Sequence, residues 1–161
     1  MDSPPGDGQG GRTTDRALET EDRNERLLAA LAHGLILTNF VGAVGAAVLY
    51  AIYRDKSRYV AFQAAQAAVY QLVAFLLTIG CWLCWAAAYM LSLAPIMANP
   101  NAYQEPPWFF WAGMASMALP FAFMGVIWLY GLWGAVRSLQ GKPFRYLLVG
   151  PWVQHFLRDK E

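Results

Sequence analysis

Apolar residues run along this chain in three long windows, separated by short polar stretches. No Asp, Glu, Lys or Arg occurs in the 27 residues from Leu27 to Tyr53, the 46 from Tyr59 to Gln104 or the 31 from Pro106 to Val136. A bilayer core is crossed by about 20 predominantly apolar residues in helical form. All three windows meet that length, so the pattern predicts an all-α integral membrane protein.

The windows differ in their interiors. The first would make a helix of about 40 Å, against a hydrocarbon core of about 30 Å. At its centre Thr38, Asn39 and Phe40 lie between Gly34 and Gly42, a run poor in helix propensity. Two forms fit: one tilted helix, or a broken re-entrant pair of arms. The second window is too long for one crossing. Its start is rich in small residues, with Ala61, Ala64, Ala65 and Ala68 at helical spacing, and the span proper runs from about Val69 to Leu93. Prolines 95, 100, 106 and 107 mark the exit and a loop. The third window opens on Trp108 and Trp111 and closes on Trp128, Tyr130 and Trp133. These two aromatic belts suit the two membrane interfaces, and Pro120 predicts a kink between them.

The expected bundle is a first helix or re-entrant pair, two full transmembrane spans and an interfacial C-terminal segment. Its divisions are a disordered polar tail over 1–22, a helical membrane domain over 23–140 and an amphipathic segment over 141–161. The tail carries glycine, proline and charge with too little apolar surface to order itself. In the last segment Val149, Trp152, Val153, Phe156 and Leu157 form an apolar stripe beside Gln154, His155 and Arg158. The acidic start shows neither a cleavable signal pattern nor a transit peptide.

Composition adds little beyond this. Hydrophobic residues make up 57% and charged residues 14% of the chain, and the net charge is +1. Nothing there attracts nucleic acid. The distribution of charge is more informative. The basic residues fall in the N-terminal tail, in the first loop (Arg54, Lys56, Arg58) and after the last span, with none between the second and third windows. A re-entrant first window places every basic residue on one side, which the positive-inside rule favours. Both termini are then expected at the cytoplasmic face of a bacterial inner membrane. A backbone break at depth must be covered by protein, and Gln63 and Gln66 are placed to cover the groups around Thr38 to Gly42.

Candidate chemistry is sparse. His33, Asn39, Gln63, Gln66 and Tyr70 form a possible intramembrane polar cluster, for interhelical hydrogen bonding or a polar path. Arg54, Lys56, Arg58 and Arg145 are possible lipid-phosphate contacts. Cys81 and Cys84 form a C-x-x-C in mid-span, where lipid would block the attackable thiolate that redox chemistry needs. No catalytic residue, metal site or cofactor motif stands out, and a non-enzymatic role is expected.

Three stretches together suggest a family: Leu27–Gly34 (LLAALAHG), Arg54–Gln71 (RDKSRYVAFQAAQAAVYQ) and Gly141–Tyr146 (GKPFRY). Over residues 25–148 the chain resembles small bacterial membrane proteins related to the chloroplast inner-envelope import channel component of about twenty kilodaltons. It departs from that pattern at Phe62 and Ala68. The resemblance implies about four hydrophobic helical segments and, for the chloroplast relatives, protein translocation. The expected function is a subunit or assembly partner in a membrane complex, with the lipid bilayer and other membrane proteins or further copies as partners. The alternatives are a small homo-oligomeric channel or transporter and a membrane thiol redox protein.

Overall fold

The computed structural model describes residues 8–142, 144–147 and 149–158. Expectations for residues 1–7, Pro143 and 159–161, and for the side chains of Trp152, Gln154, Phe156, Leu157 and Arg158, lie outside what it describes. Among the described residues every regular element is helical. The principal helices are α1 (Gly8–Gly34), α2 (Phe40–Tyr53), α3 (Arg58–Ser92), α4 (Ala94–Ala98), α5 (Trp108–Ser116), α6 (Ala118–Leu139) and α7 (Val149–Arg158). Helix α1 begins at Gly8, so helix covers a part of the tail that was expected to lack structure.

Between α1 and α2 the backbone tightens into a 3-10 turn, Leu35–Thr38, and then reverses at Asn39, whose φ is +52°. Asparagine tolerates this left-handed region better than most residues. The break turns the first window into a hairpin. Ala32 and Ala46, seven residues either side of Asn39, join one buried cluster with Ala64 and Ala67 of α3. A continuous helix would separate Ala32 from Ala46 by about 21 Å. The broken, folded-back form of the first window is therefore the observed one, and α2, with 14 residues, is shorter than a helix needs to cross a bilayer. The small residues of α3 let both arms approach closely, although the fully covered positions are Ala64 and Ala67 and not Ala65 or Ala68.

Two helical stretches are long and apolar enough to cross a membrane, Arg58–Ser92 and Trp108–Leu139. The second is interrupted at Met117 and has Pro120 buried in the first turn of α6. A proline is best tolerated near a helix start, where its missing N–H costs no bond. In the apolar window of each stretch only 6% of residues are buried within the chain. Leu76, Leu83, Leu119, Val126 and Leu129 all face outward, the inverse of a water-soluble packing plan.

The ends of the elements converge. A cleft of about 590 Å³ lies between Thr20–Leu28 of α1 and Tyr53, Lys56 and Ser57 of the α2–α3 loop. Gly141, at φ +67°, brings the end of α6 against the Arg26 guanidinium, where a Cβ would fall 2.7 Å from its Cζ. Three basic stretches thus share one end of the bundle, and the Asn99–Pro107 loop lies at the other end of α3.

Gly42 is a sharp requirement of the hairpin. A Cβ there would sit 2.0 Å from the Leu35 carbonyl oxygen and 2.7 Å from Gln71 Oε1. At Gly45 the nearest atom is the movable Leu35 Cδ1, at 2.9 Å. Gly42→Ala is expected to cost at least about 1–3 kcal/mol, and Gly45→Ala clearly less, in thermal unfolding of the detergent-solubilised protein. Equal losses would contradict the packed hairpin.

Candidate functional site

Where α1 ends, α3 begins and α6 gives way to α7, a set of polar side chains closes on itself. His33 occupies the last turn of α1, next to the break. Gln63 and Gln66 stand one turn apart on α3 (i, i+3), and so share a face. The extended segment Phe144–Tyr146 crosses them. His33, Gln66 and Tyr146 are at most 1% exposed and Gln63 is 2% exposed, so each polar atom must find its partner inside the protein.

The partners are all present. His33 Nε2 lies 3.0 Å from Gln63 Oε1, an acceptor, so this nitrogen carries the ring proton. His33 Nδ1 lies 3.0 Å from the Tyr146 hydroxyl, which donates to it. Gln66 Nε2 donates both to Gln63 Oε1, at 2.6 Å, and to the Phe144 carbonyl, at 2.9 Å. Gln63 Nε2 donates to the same carbonyl at 3.3 Å. Gln66 Oε1 accepts the Tyr146 backbone N–H at 3.3 Å. Two glutamine amides on one face of α3 thus hold the Phe144 carbonyl, one of them also the Tyr146 N–H, and the histidine ties that segment to α1. A neutral histidine satisfies every bond in this circuit.

Aromatic packing seals the circuit. The Tyr70 ring stacks on Tyr146 with centroids 4.0 Å apart and planes 11° apart. Phe144 meets His33 edge-on at 5.5 Å. Val149 and Val153 of α7 complete the cluster against Phe62, Ala65 and Val69 of α3. The expected amphipathic C-terminal segment is therefore docked on α3. Burial, with smaller contributions from Tyr70 and Tyr130, pushes the Tyr146 hydroxyl pKa upward and keeps it a donor. Gly134 gives the room: a Cβ there would fall 2.7 Å from Phe144 and 3.3 Å from His33 Nδ1.

The five residues of the expected polar cluster divide. His33, Gln63 and Gln66 come together as described. Tyr70 joins through its ring, while its hydroxyl donates to the Ile127 carbonyl of α6 at 2.9 Å. Asn39 stands apart at the break. Nor do Gln63 and Gln66 cover the groups around Thr38 to Gly42; they bind the C-terminal segment. The break is served by Gln71, which donates to the Ala32 carbonyl at 2.8 Å. Helix ends leave such carbonyls without intrahelical partners. Gln71 and Tyr146 were missed as partners in the sequence. Gln71 continues the polar side of α3, which was a usable signal, whereas Tyr146 lies 113 residues from His33.

The four candidate lipid contacts also divide. Arg54 pairs with Asp55 at 3.0 Å, and Lys56 lies over the Tyr53 ring at 5.6 Å. Arg58 and Arg145 are exposed, and the Arg145 guanidinium sits 5.9 Å from the Phe62 ring centroid. Cys84 is exposed and Cys81 half-buried on the apolar stretch of α3, both as free thiols. Among the described residues no group of three or more His, Cys, Asp or Glu side chains is placed to hold a metal ion.

A family model described as magnetosome magnetite crystal formation matches residues 24–153, which takes in the hairpin, both long helical stretches and the latch formed by His33, Gln63 and Gln66 on the 144–146 segment. The chain belongs to the MamF/MmsF family. No curated protein and no solved structure matches the chain. The import-channel resemblance is thereby overturned: membership is in a magnetosome membrane protein family. The stretches that suggested otherwise contain His33, Gln63, Gln66, Phe144 and Tyr146. In this MamF/MmsF chain those residues form a packing device, which carries no information about translocation.

Gln66→Leu leaves the Tyr146 N–H without an acceptor and removes a donor from the Phe144 carbonyl. It is expected to destabilise the folded protein by about 1–3 kcal/mol. Tyr146→Phe removes only the donor to His33 and should cost nearer 1 kcal/mol. Denaturation monitored by tryptophan fluorescence in mild detergent measures both, and wild-type stability for Gln66→Leu would contradict the network.

Proposed function

We propose that this chain is a non-enzymatic membrane protein of magnetite crystal formation, acting as a subunit or assembly partner in a bacterial magnetosome membrane. Its family membership carries this reading. The site geometry supports it: the side chains of His33, Gln63, Gln66 and Tyr146 are turned toward one another and hold the fold. The channel alternative loses its lining for the same reason, because His33, Gln63 and Gln66 are covered by their own partners.

The distribution of charge supports a partner role over direct contact with mineral. The basic end of the bundle faces the cytoplasm under the positive-inside rule. The opposite loop then faces the compartment, and from Tyr59 to Val136 its Glu105 is the only Asp, Glu, Lys or Arg. Hard cations are held by several oxygen ligands at once. One carboxylate per chain is a poor start for such a site, so an influence on the crystal has to pass through other proteins or through further copies.

Deleting the gene in a magnetite-forming bacterium that carries it should change the number, size or shape of crystals seen by electron microscopy. Re-expression of a Cys81→Ala, Cys84→Ala double variant should restore them. Protein purified in mild detergent should emerge with other membrane proteins. Unchanged crystals after deletion would sink the reading, and failure of the cysteine variant would revive thiol chemistry.

A further inference from the structure

We infer that the cleft between α1 and the end of α6 binds a zwitterionic phospholipid with a primary ammonium headgroup, held by Glu19, Arg23 and Leu27. This site rests on the membrane setting of the bundle and is independent of any role in crystal formation.

The cleft has a volume of about 340 Å³ and is lined by Glu19, Asp22, Arg23, Arg26 and Leu27 of α1 and by Leu139 at the end of α6. Small-ligand sites span about 300–1,000 Å³. The α1 residues fall at i, i+3, i+4, i+7 and i+8, so they share one face of the helix. At the four-residue spacing their chemistry changes in steps: the carboxylate of Glu19, the guanidinium of Arg23, then the aliphatic Leu27. Leu27 and Leu139 are each about half exposed, so the apolar end of the cleft is open. Leu27 also begins the first charge-free window, which sets the hydrocarbon boundary at its level. Arg23 then lies about 6 Å and Glu19 about 12 Å outside that level along the helix axis. The headgroup zone on each side of a bilayer is about 5–8 Å deep, so Arg23 stands at phosphate depth and Glu19 beyond it, toward water.

The other two charges of the cleft are committed to each other. Asp22 and Arg26 form an ion pair, and the Arg26 guanidinium packs against Gly141. Glu19 and Arg23 are exposed and form no ion pair among the described residues. The planar fork of Arg23 matches the oxygens of a phosphate. The carboxylate of Glu19 accepts hydrogen bonds, and a primary ammonium offers three N–H donors. Leu27 and Leu139 receive the start of an acyl chain. From water inward, the ammonium, phosphate and acyl chain of such a lipid follow the same order as Glu19, Arg23 and the two leucines. An anionic phospholipid brings no cation for Glu19, and a quaternary ammonium has no N–H to donate.

Native mass spectrometry of the detergent-solubilised full chain, titrated separately with phosphatidylethanolamine, phosphatidylglycerol and phosphatidylcholine, tests the site. Wild type should bind phosphatidylethanolamine most tightly. Glu19→Gln should weaken that binding about fivefold, as expected for the loss of one charged contact, and should not weaken phosphatidylglycerol binding. Arg23→Gln should weaken both. The double variant Glu19→Arg, Arg23→Glu keeps the net charge but inverts the order, and should lose the preference for phosphatidylethanolamine. Glu21→Gln, on the other side of α1 in the cleft beside Lys56, should change nothing. If the double variant unfolds at a lower temperature than wild type, the exposed single variant Glu19→Gln decides the matter alone. Equal affinity for the three lipids, phosphatidylethanolamine binding unaltered by Glu19→Gln, or an equal loss in Glu21→Gln would each overturn the inference. Binding of no lipid at all would overturn it together with the membrane setting, whereas unchanged crystals after gene deletion would leave it standing.

Discussion

A peptide N–H or carbonyl held away from water must find a partner inside the protein, and much of this structure follows from that constraint. An unbroken helix meets it unaided. Two of this chain's departures from regular helix are the turn after α1, where Ile36 is buried and residues 37–40 are exposed, and the extended segment 144–146, where Phe144 and Tyr146 are buried. At both, a glutamine of α3 supplies what the backbone lacks. Gln71 donates to the Ala32 carbonyl, and Gln63 and Gln66 bind the Phe144 carbonyl while Gln66 accepts the Tyr146 N–H. Glutamine suits the task because one amide both donates and accepts without carrying charge.

The consequences extend outward from these bonds. With the break satisfied, α1 and α2 fold back as a hairpin against the alanines of α3. With the 144–146 segment satisfied, α7 is brought down onto Phe62, Ala65 and Val69 and Arg145 is turned outward. The latch is closed by hydrogen bonds among its own groups with the histidine neutral, which is a structural use of these side chains. The long apolar stretches of α3, α5 and α6 leave their sides unpacked within the chain, surface that lipid or protein can cover. Membership in a family of magnetite crystal formation gives this architecture its setting. One end of the molecule is charged and the other almost free of charge.

Much of this was legible in the sequence because the governing signals are local. Charge-free windows of fixed length mark the helices, and the Gly34–Gly42 stretch marks the break through propensity alone. Charge distribution favoured a folded-back first window over a single crossing, since a full crossing leaves the basic groups of the tail and the first loop on opposite sides, and the chain does fold back at Asn39. The partners of the glutamines were not legible. Gln63 and Gln66 have the spacing of a shared face, but which backbone they serve depends on contacts 78 to 81 residues away. Tyr70 shares that face and yet sends its hydroxyl to Ile127. The family was misread for a related reason: the short motifs record a way of burying polar groups, and that is a weaker marker of function than the chain-wide match.

The most direct test of the re-entrant hairpin is side-resolved cysteine labelling in a Cys81→Ala, Cys84→Ala background. Single cysteines would replace Leu18, Lys56, Lys142 and Asn101 in turn. A membrane-impermeant thiol reagent should reach Leu18, Lys56 and Lys142 from the same side of the membrane and Asn101 from the opposite side. Labelling of Lys56 from the side opposite to Leu18 would mean that the first window crosses the membrane, and would contradict the hairpin on which this account rests.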